Sequence, residues 1–177
     1  MALEMADRGD PFSLLHTPTG DEFPEVAEHV ERIASLVGAD LILPPAPTLD
    51  GLIADYQALP NFRQRWCTRQ IKIEPAIEWC KAHPGSTLLV GLRSDEEQRR
   101  GLYGDLVKYR YPLREWGWGL AEVLERTADV CIPPRTDCGL CFFQRISDWQ
   151  RLWLDRPGHY EWGEQLEEWT GHTFRTP

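Results

Sequence analysis

The feature that most constrains the fold is a run of short apolar segments alternating with segments of helical periodicity. Phe12–His16, Leu41–Leu43 and Thr87–Leu92 read as buried strands, and Val107–Leu113 as a further strand. After Pro24, which a first helical turn tolerates, Val26, Val30, Ile33, Ala34 and Val37 recur at helical spacing up to Gly38. Leu49–Leu59 reads as a short helix, and Thr68–His83 as a longer one with Pro75 at a break or first turn. Gly117–Asp129, Ile146–Leu154 and Tyr160–Thr170 are further helices, the last two separated by the Pro157-Gly158 turn, and residues 2–8 are the tail of another. Strands alternating with helices predict an α/β fold of three layers: a mainly parallel sheet flanked by helices. Residues 1–130 are expected to form this α/β domain, and residues 131–177 a cysteine-rich loop with C-terminal helices. In such sheets ligands bind beyond the carboxyl ends of the strands.

A chain of 177 residues suffices for one domain with a real core, or one domain plus a small appendage. Its formal net charge of -9 argues against a general electrostatic grip on nucleic acid, though not against a local basic pocket. No apolar run approaches the roughly 20 residues needed to span a bilayer, and Met1–Asp10 lacks the long apolar stretch of a signal peptide. The expectation is a cytoplasmic protein without membrane contact. In that compartment its five cysteines read as metal ligands, nucleophiles or core residues rather than disulfides. Most of its eight tryptophans are expected to be core and helix-packing residues.

Three segments carry chemistry. In Trp66–Pro75, a helix beginning near Thr68 would point free N–H groups at its entrance, with Arg69 and Lys72 on one face, a pocket for phosphate or sulfate. The bland alternative is that both are solvated surface charges. Gly91–Arg100 follows a buried strand. Its glycine permits close backbone approach, Arg93, Arg99 and Arg100 supply anion donors, and Asp95 and Glu96 would orient them. The competing reading is an ion-pair network on a solvated turn. The third segment is Cys131-x6-Cys138-x2-Cys141, where the Cys-x2-Cys spacing lets two thiolates reach one metal. Cys131 and Cys67 offer a third and fourth ligand, so the set Cys67, Cys131, Cys138 and Cys141 suits a 4Fe-4S cluster or zinc, and a redox dithiol stays open. Cys80, among Ile77, Trp79 and Ala82, reads as core.

Together these segments resemble the phosphoadenosine-phosphosulfate (PAPS) reductase family of the adenine-nucleotide α-hydrolase-like superfamily. Trp66–Pro75 is similar to its Cys-Thr-Arg-x-x-Lys-x-x-Pro signature, and Gly91–Glu96 with Arg99 to its Gly-x-Arg-x-Asp-Glu/Gln segment. Thr19-Gly20-Asp21-Glu22, with Phe23-Pro24-Glu25, resembles the stretch following its second strand, and Arg135–Gln144 with the helices beyond resembles the cysteine-bearing ends of bacterial and phage members. The family's Ser-Gly-Gly-x-Asp-Ser phosphate loop has no counterpart in residues 1–177. Residues 2–8 read as the end of the helix that this loop opens, so the expected fold is an N-terminally truncated form with a helical, cysteine-bearing extension.

The resemblance implies sulfur–nucleotide chemistry on an adenylylated or phosphosulfate nucleotide held by Arg69, Lys72, Arg93, Asp95, Arg99 and Arg100. A thioredoxin-like reductant or a second chain are the implied partners. Thr136–Cys141 echoes the family's Glu-Cys-Gly-Leu-His sequence, which makes Cys138 the candidate catalytic thiol, but Cys141 stands at the histidine position and two helices follow. That context favours Cys138 as a metal ligand. Two alternatives stand beside an enzyme or enzyme fragment of this chemistry: a non-catalytic, metal-stapled interaction module, and a component of a DNA- or tRNA-modifying sulfurtransferase. Nucleic acid enters only as a substrate for modification.

Overall fold

The apolar runs become strands of two residues each, and Pro112 and Leu113, expected to end the last strand, open a short helix instead. A computed structural model describes residues 1–101, 104–133 and 138–174. After α1 (Ala2–Asp7), β1 (Leu14–Leu15) leads into a polar loop and α2 (Pro24–Val37). Pro24 occupies the first turn of α2, and Gly38, at φ 63°, ends it by returning its amide to the last turn. β2 (Leu41–Ile42) follows, then α3 (Leu49–Tyr56), whose N-terminus is capped by Thr48 Oγ1 accepting from the Gly51 amide at 3.2 Å. β3 (Leu88–Leu89) and β4 (Tyr109–Arg110) precede the short α5 (Pro112–Glu115) and α6 (Leu120–Arg126). The chain closes with α7 (Ile146–Asp155) and α8 (Pro157–Thr170).

The helix expected over Thr68–His83 is of two kinds. Residues Thr68–Ile73 form wide π-helical turns, and α4 (Glu74–Ala82) continues from them with Pro75 in its first turn. A proline lacks an N–H and crowds the carbonyl four residues back; a widened turn just before it relieves both problems. Helical geometry also begins at Trp66, two residues earlier than expected. Pro157-Gly158, expected as a turn, instead opens α8, because proline at a first helical position costs nothing.

All strand pairing among the described residues is parallel, which bears out the α/β class. β1 pairs with β2 (Leu14 opposite Leu41, Leu15 opposite Ile42), and β3 with β4 (Leu88 opposite Tyr109, Leu89 opposite Arg110). These are two separate two-stranded ladders rather than one continuous sheet. Their leucines are only half-buried, whereas strands of covered parallel sheets are normally buried on both faces.

The core lies to one side of the ladders. Ile53 and Leu59 from the α3 region, Ile71 from the π turns, and Leu140, Leu152, Leu166 and Phe174 from the C-terminal region form one buried cluster with Phe23. Full burial of each such side chain contributes roughly 1.5–3 kcal/mol. The cluster draws on chain from both sides of residue 131. Cys80 is buried on α4, as its apolar neighbours suggest. The tryptophans differ from expectation: none is fully buried, and Trp153, Trp162 and Trp169 are exposed.

Candidate functional site

The loop that leaves β1 is the hub of the site. Thr19 and Asp21 are both buried. The carboxylate of Glu22 turns back to accept from the amides of Thr19 and Gly20, at 2.9 and 3.0 Å, which fixes the loop's curvature. Asp21 reaches across the molecule. Its backbone carbonyl accepts from the Gly139 amide at 2.7 Å, and its side chain from the Leu140 amide at 2.8 Å. Its other carboxylate oxygen lies 2.9 Å from His159 Nε2 on α8. The Cys138–Cys141 turn, closed by the Cys141 amide on the Cys138 carbonyl at 3.3 Å, is thereby docked on the β1 loop.

That docking delivers Cys138 to Thr19, whose hydroxyl donates to Sγ at 3.3 Å. Burial pushes the Cys138 thiol up to about 11, against the Thr19 hydrogen bond and the positive charge of Lys72, with Glu22 and Asp21 adding to the rise. Lys72 also acts on two other groups. Burial lowers His16, at the end of β1, with Lys72 contributing, and burial raises the Cys67 thiol against Thr68, Lys72 and Arg65. The Lys72 side chain lines a cavity of about 690 Å3 together with Thr17 after β1 and Gly91 after β3. The Phe62–Arg65 stretch just before the π turns and the Cys138–Gln144 stretch are held together by aromatic contacts. Phe62 meets the rings of Phe142 and Phe143 edge-on, and the Arg65 guanidinium lies over Phe143 at 4.9 Å.

Arg69, Arg93 and Arg99 each pair with a neighbouring carboxylate. Arg69 does not share a face with Lys72, because the wide π turn separates positions three apart. It is exposed and pairs with Glu74 at 2.7 Å. In the turn after β3, Arg93 pairs with Asp95 at 2.9 Å, and Arg99 pairs with Glu96. The Arg93 amide and then the Arg99 guanidinium hold the Glu96 carboxyl below the usual carboxylate range. Arg114, which the sequence did not single out, donates to the carbonyls of Arg93, Glu96 and Arg99 and ties this turn to α5. Asp95 also accepts from the Leu120 amide at the start of α6. Arg100 is exposed. The turn thus carries an ion-pair network and packs on α5 and α6.

The family model of the phosphoadenosine phosphosulfate reductase domain matches residues 1–104. The chain belongs to this family. No curated protein and no solved structure matches it. Membership brings the family's sulfur–nucleotide chemistry and a nucleotide substrate at the level of the family. The matched residues include the Thr19–Glu22 loop, Lys72 and the Gly91–Arg100 turn, whereas Cys131, Cys138 and Cys141 lie beyond them.

A metal centre on the four cysteines finds no support in their placement. Among the described residues no three His, Cys, Asp or Glu side chains gather where they could hold a metal. Cys131 is exposed, with its carbonyl accepting from Arg32 of α2, while Cys138 lies by Thr19. Residues 134–137 of the Cys131–Cys141 segment lie outside the described residues. Among the described residues no helix is long and apolar enough to cross a membrane.

Reading for motifs missed His16, Thr19, Asp21 and His159 as site residues. Thr19 and Asp21 were accessible, since they lie in the stretch resembling the family's segment after its second strand. His159 sits in a helix whose sequence carries no such motif.

Proposed function

We propose that the protein binds an adenylylated or phosphosulfate nucleotide at the carboxyl ends of β1 and β3, and acts on its sulfur. Lys72 carries this reading. Its charge acts on His16, Cys67 and Cys138 together, and it lines the cavity flanked by Thr17 and Gly91. Among the described residues no carboxylate pairs with it, while Arg69, Arg93 and Arg99 are each held by a neighbouring carboxylate. A lysine without a partner at strand ends suits a phosphate or sulfate oxygen.

If the chemistry is reductive, Cys138 is the thiol placed to perform it. Its thiolate attacks the sulfur of the sulfo group, the S–O bond to phosphate breaks, and the nucleotide leaves with the electron pair, giving an S-sulfonated Cys138. A dithiol reductant of the thioredoxin type then attacks Sγ and expels sulfite. Its second thiol resolves the mixed disulfide, so the reductant is oxidised and Cys138 is regenerated. Lys72 and Thr19 both favour the thiolate this sequence needs. Burial opposes it, which is the specific observation favouring a second reading, the non-catalytic interaction module. No step runs through a cluster or zinc; iron, sulfide and zinc analysis of anaerobically purified protein checks that assignment directly.

Titration calorimetry with adenylyl sulfate, PAPS and ATP tests the first reading. Micromolar binding of at least one nucleotide is expected, weakened roughly tenfold or more by Lys72→Ala, in line with loss of a charge-assisted hydrogen bond. Arg69→Ala should leave binding unchanged. Silence with all three nucleotides overturns the proposal in favour of the interaction module.

A further inference from the structure

The cleft between α7 and α8 lies beyond the residues that match the family model and away from the strand-end site. Its volume of about 210 Å3 is below the roughly 300–1,000 Å3 of pockets for drug-sized ligands, so it suits a head group on a short stem. Three aromatic rings line it. Trp149 of α7 stands at 80° to Tyr160 of α8, with centroids 6.5 Å apart, and at 41° to Phe174, with centroids 6.0 Å apart. Trp149 is half-buried, yet its Nε1 is fully buried and has no hydrogen-bond partner among the described residues. The part of the indole open to the cleft is therefore carbon, a π surface rather than a donor.

Carboxylates share the cleft with the rings. Tyr160, Glu164 and Glu167 recur at i, i+4 and i+7 and so stand on one face of α8. Glu167 accepts from the Phe174 amide at 2.8 Å, which ties its carboxylate to the stretch that carries the third ring. Among the described residues no Lys, Arg or His pairs with Glu164 or Glu167. α8 has four glutamates and no lysine or arginine, and its last turn, where the helix dipole favours a cation, holds Glu167 instead. Aromatic faces beside unpaired carboxylates select for positive charge. A neutral apolar ligand would leave two like charges three residues apart uncompensated, an anion would be repelled, and a hydrated metal ion makes poor use of the rings.

We infer that the α7–α8 cleft binds a monovalent organic cation, an ammonium or guanidinium head on a short apolar stem. The head sits against the faces of Trp149 and Tyr160 and is countered by Glu164 and Glu167, while the stem lies along the apolar remainder of the cleft. The same head group occurs in a free amine and in a lysine or arginine side chain, and the test separates the two. This inference does not depend on the nucleotide reading.

Nuclear magnetic resonance of the full chain tests it, reading the Trp149 indole N–H signal, which Trp149→Phe identifies by its loss. Butylammonium and butylguanidinium chlorides are titrated beside neutral pentanol, and end-blocked Gly-Lys-Gly and Gly-Arg-Gly peptides supply the side-chain form. At least one cation is expected to saturate the signal at roughly millimolar concentration, about tenfold tighter than the alcohol. Glu164→Gln combined with Glu167→Gln, which keeps an acceptor for the Phe174 amide, should weaken the cation roughly fivefold or more and leave the alcohol unchanged. Binding of both free cations and peptides supports the inference and assigns a side chain as the occupant; binding of free cations alone supports it and assigns a small amine. Equal binding of alcohol and cation, cation binding indifferent to the double substitution, or no saturation by any cation overturns it. Arg175, outside the described residues, follows Phe174 in sequence, so the titration is repeated with Arg175→Gln. Saturation in that variant alone also overturns the inference, since the cation is then the chain's own.

Discussion

Cys138 is held as a thiol by its own surroundings. With its value pushed to about 11, only roughly one molecule in ten thousand carries the thiolate at pH 7. Alkylation by iodoacetamide, followed by peptide mass spectrometry, should therefore be slow at Cys138 at neutral pH and should climb steeply up to about pH 11. Lys72→Met and Thr19→Val should each slow it further, since both partners stabilise the thiolate. Alkylation of Cys138 at neutral pH as fast as that of free cysteine would refute this suppression of the thiolate. His16 gives a second reading at this scale. Burial lowers its value in the folded chain, so below the ordinary histidine value of about 6.5 the unfolded chain binds more protons. This contribution therefore erodes stability as pH falls from there toward the folded value. Urea midpoints of the wild type should drop more between pH 7.5 and 5.5 than those of His16→Asn.

At the scale of elements, the Cys138–Cys141 turn, the β1 loop and α8 form a clasp whose tightness depends on a missing side chain. A Cβ on Gly139 would lie 2.0 Å from His159 Nε2. Gly139→Ala should therefore displace His159 from Asp21 and cost about 1–3 kcal/mol in urea unfolding, the usual range for overpacking. The cost should shrink in a His159→Ala background, where the clash is gone. The elements were unevenly legible in the sequence. The strands were found because short apolar runs bounded by Gly, Pro and Asp have few other uses. The π turns before Pro75 were not, because periodicity signals a helix without reporting how a proline is accommodated. Lys72 could be singled out from its motif. Its separation from Arg69 depends on the width of that turn, and the Asp21–His159 contact joins positions with no local signal between them.

For the whole molecule the decisive feature is that Leu140, Leu152, Leu166 and Phe174 share one core with Phe23, Ile53 and Ile71. The sequence reading sets a boundary at residue 131, and apolar surface is buried across it. Leu166→Ala should cost about 2–5 kcal/mol, and it should lower the unfolding midpoint of the α/β part together with that of the C-terminal helices. Two resolved transitions by circular dichroism and tryptophan fluorescence would instead mark two independent units.

The two ladders have a kinetic consequence. Each strand pair closes around a short stretch of chain, β1 to β2 across α2 and β3 to β4 across the turn held by Arg114. Little loop entropy has to be spent before either pair forms, and neither waits for the other. Such a chain can assemble its halves one after the other as it emerges from the ribosome, leaving only the C-terminal helices to lock them.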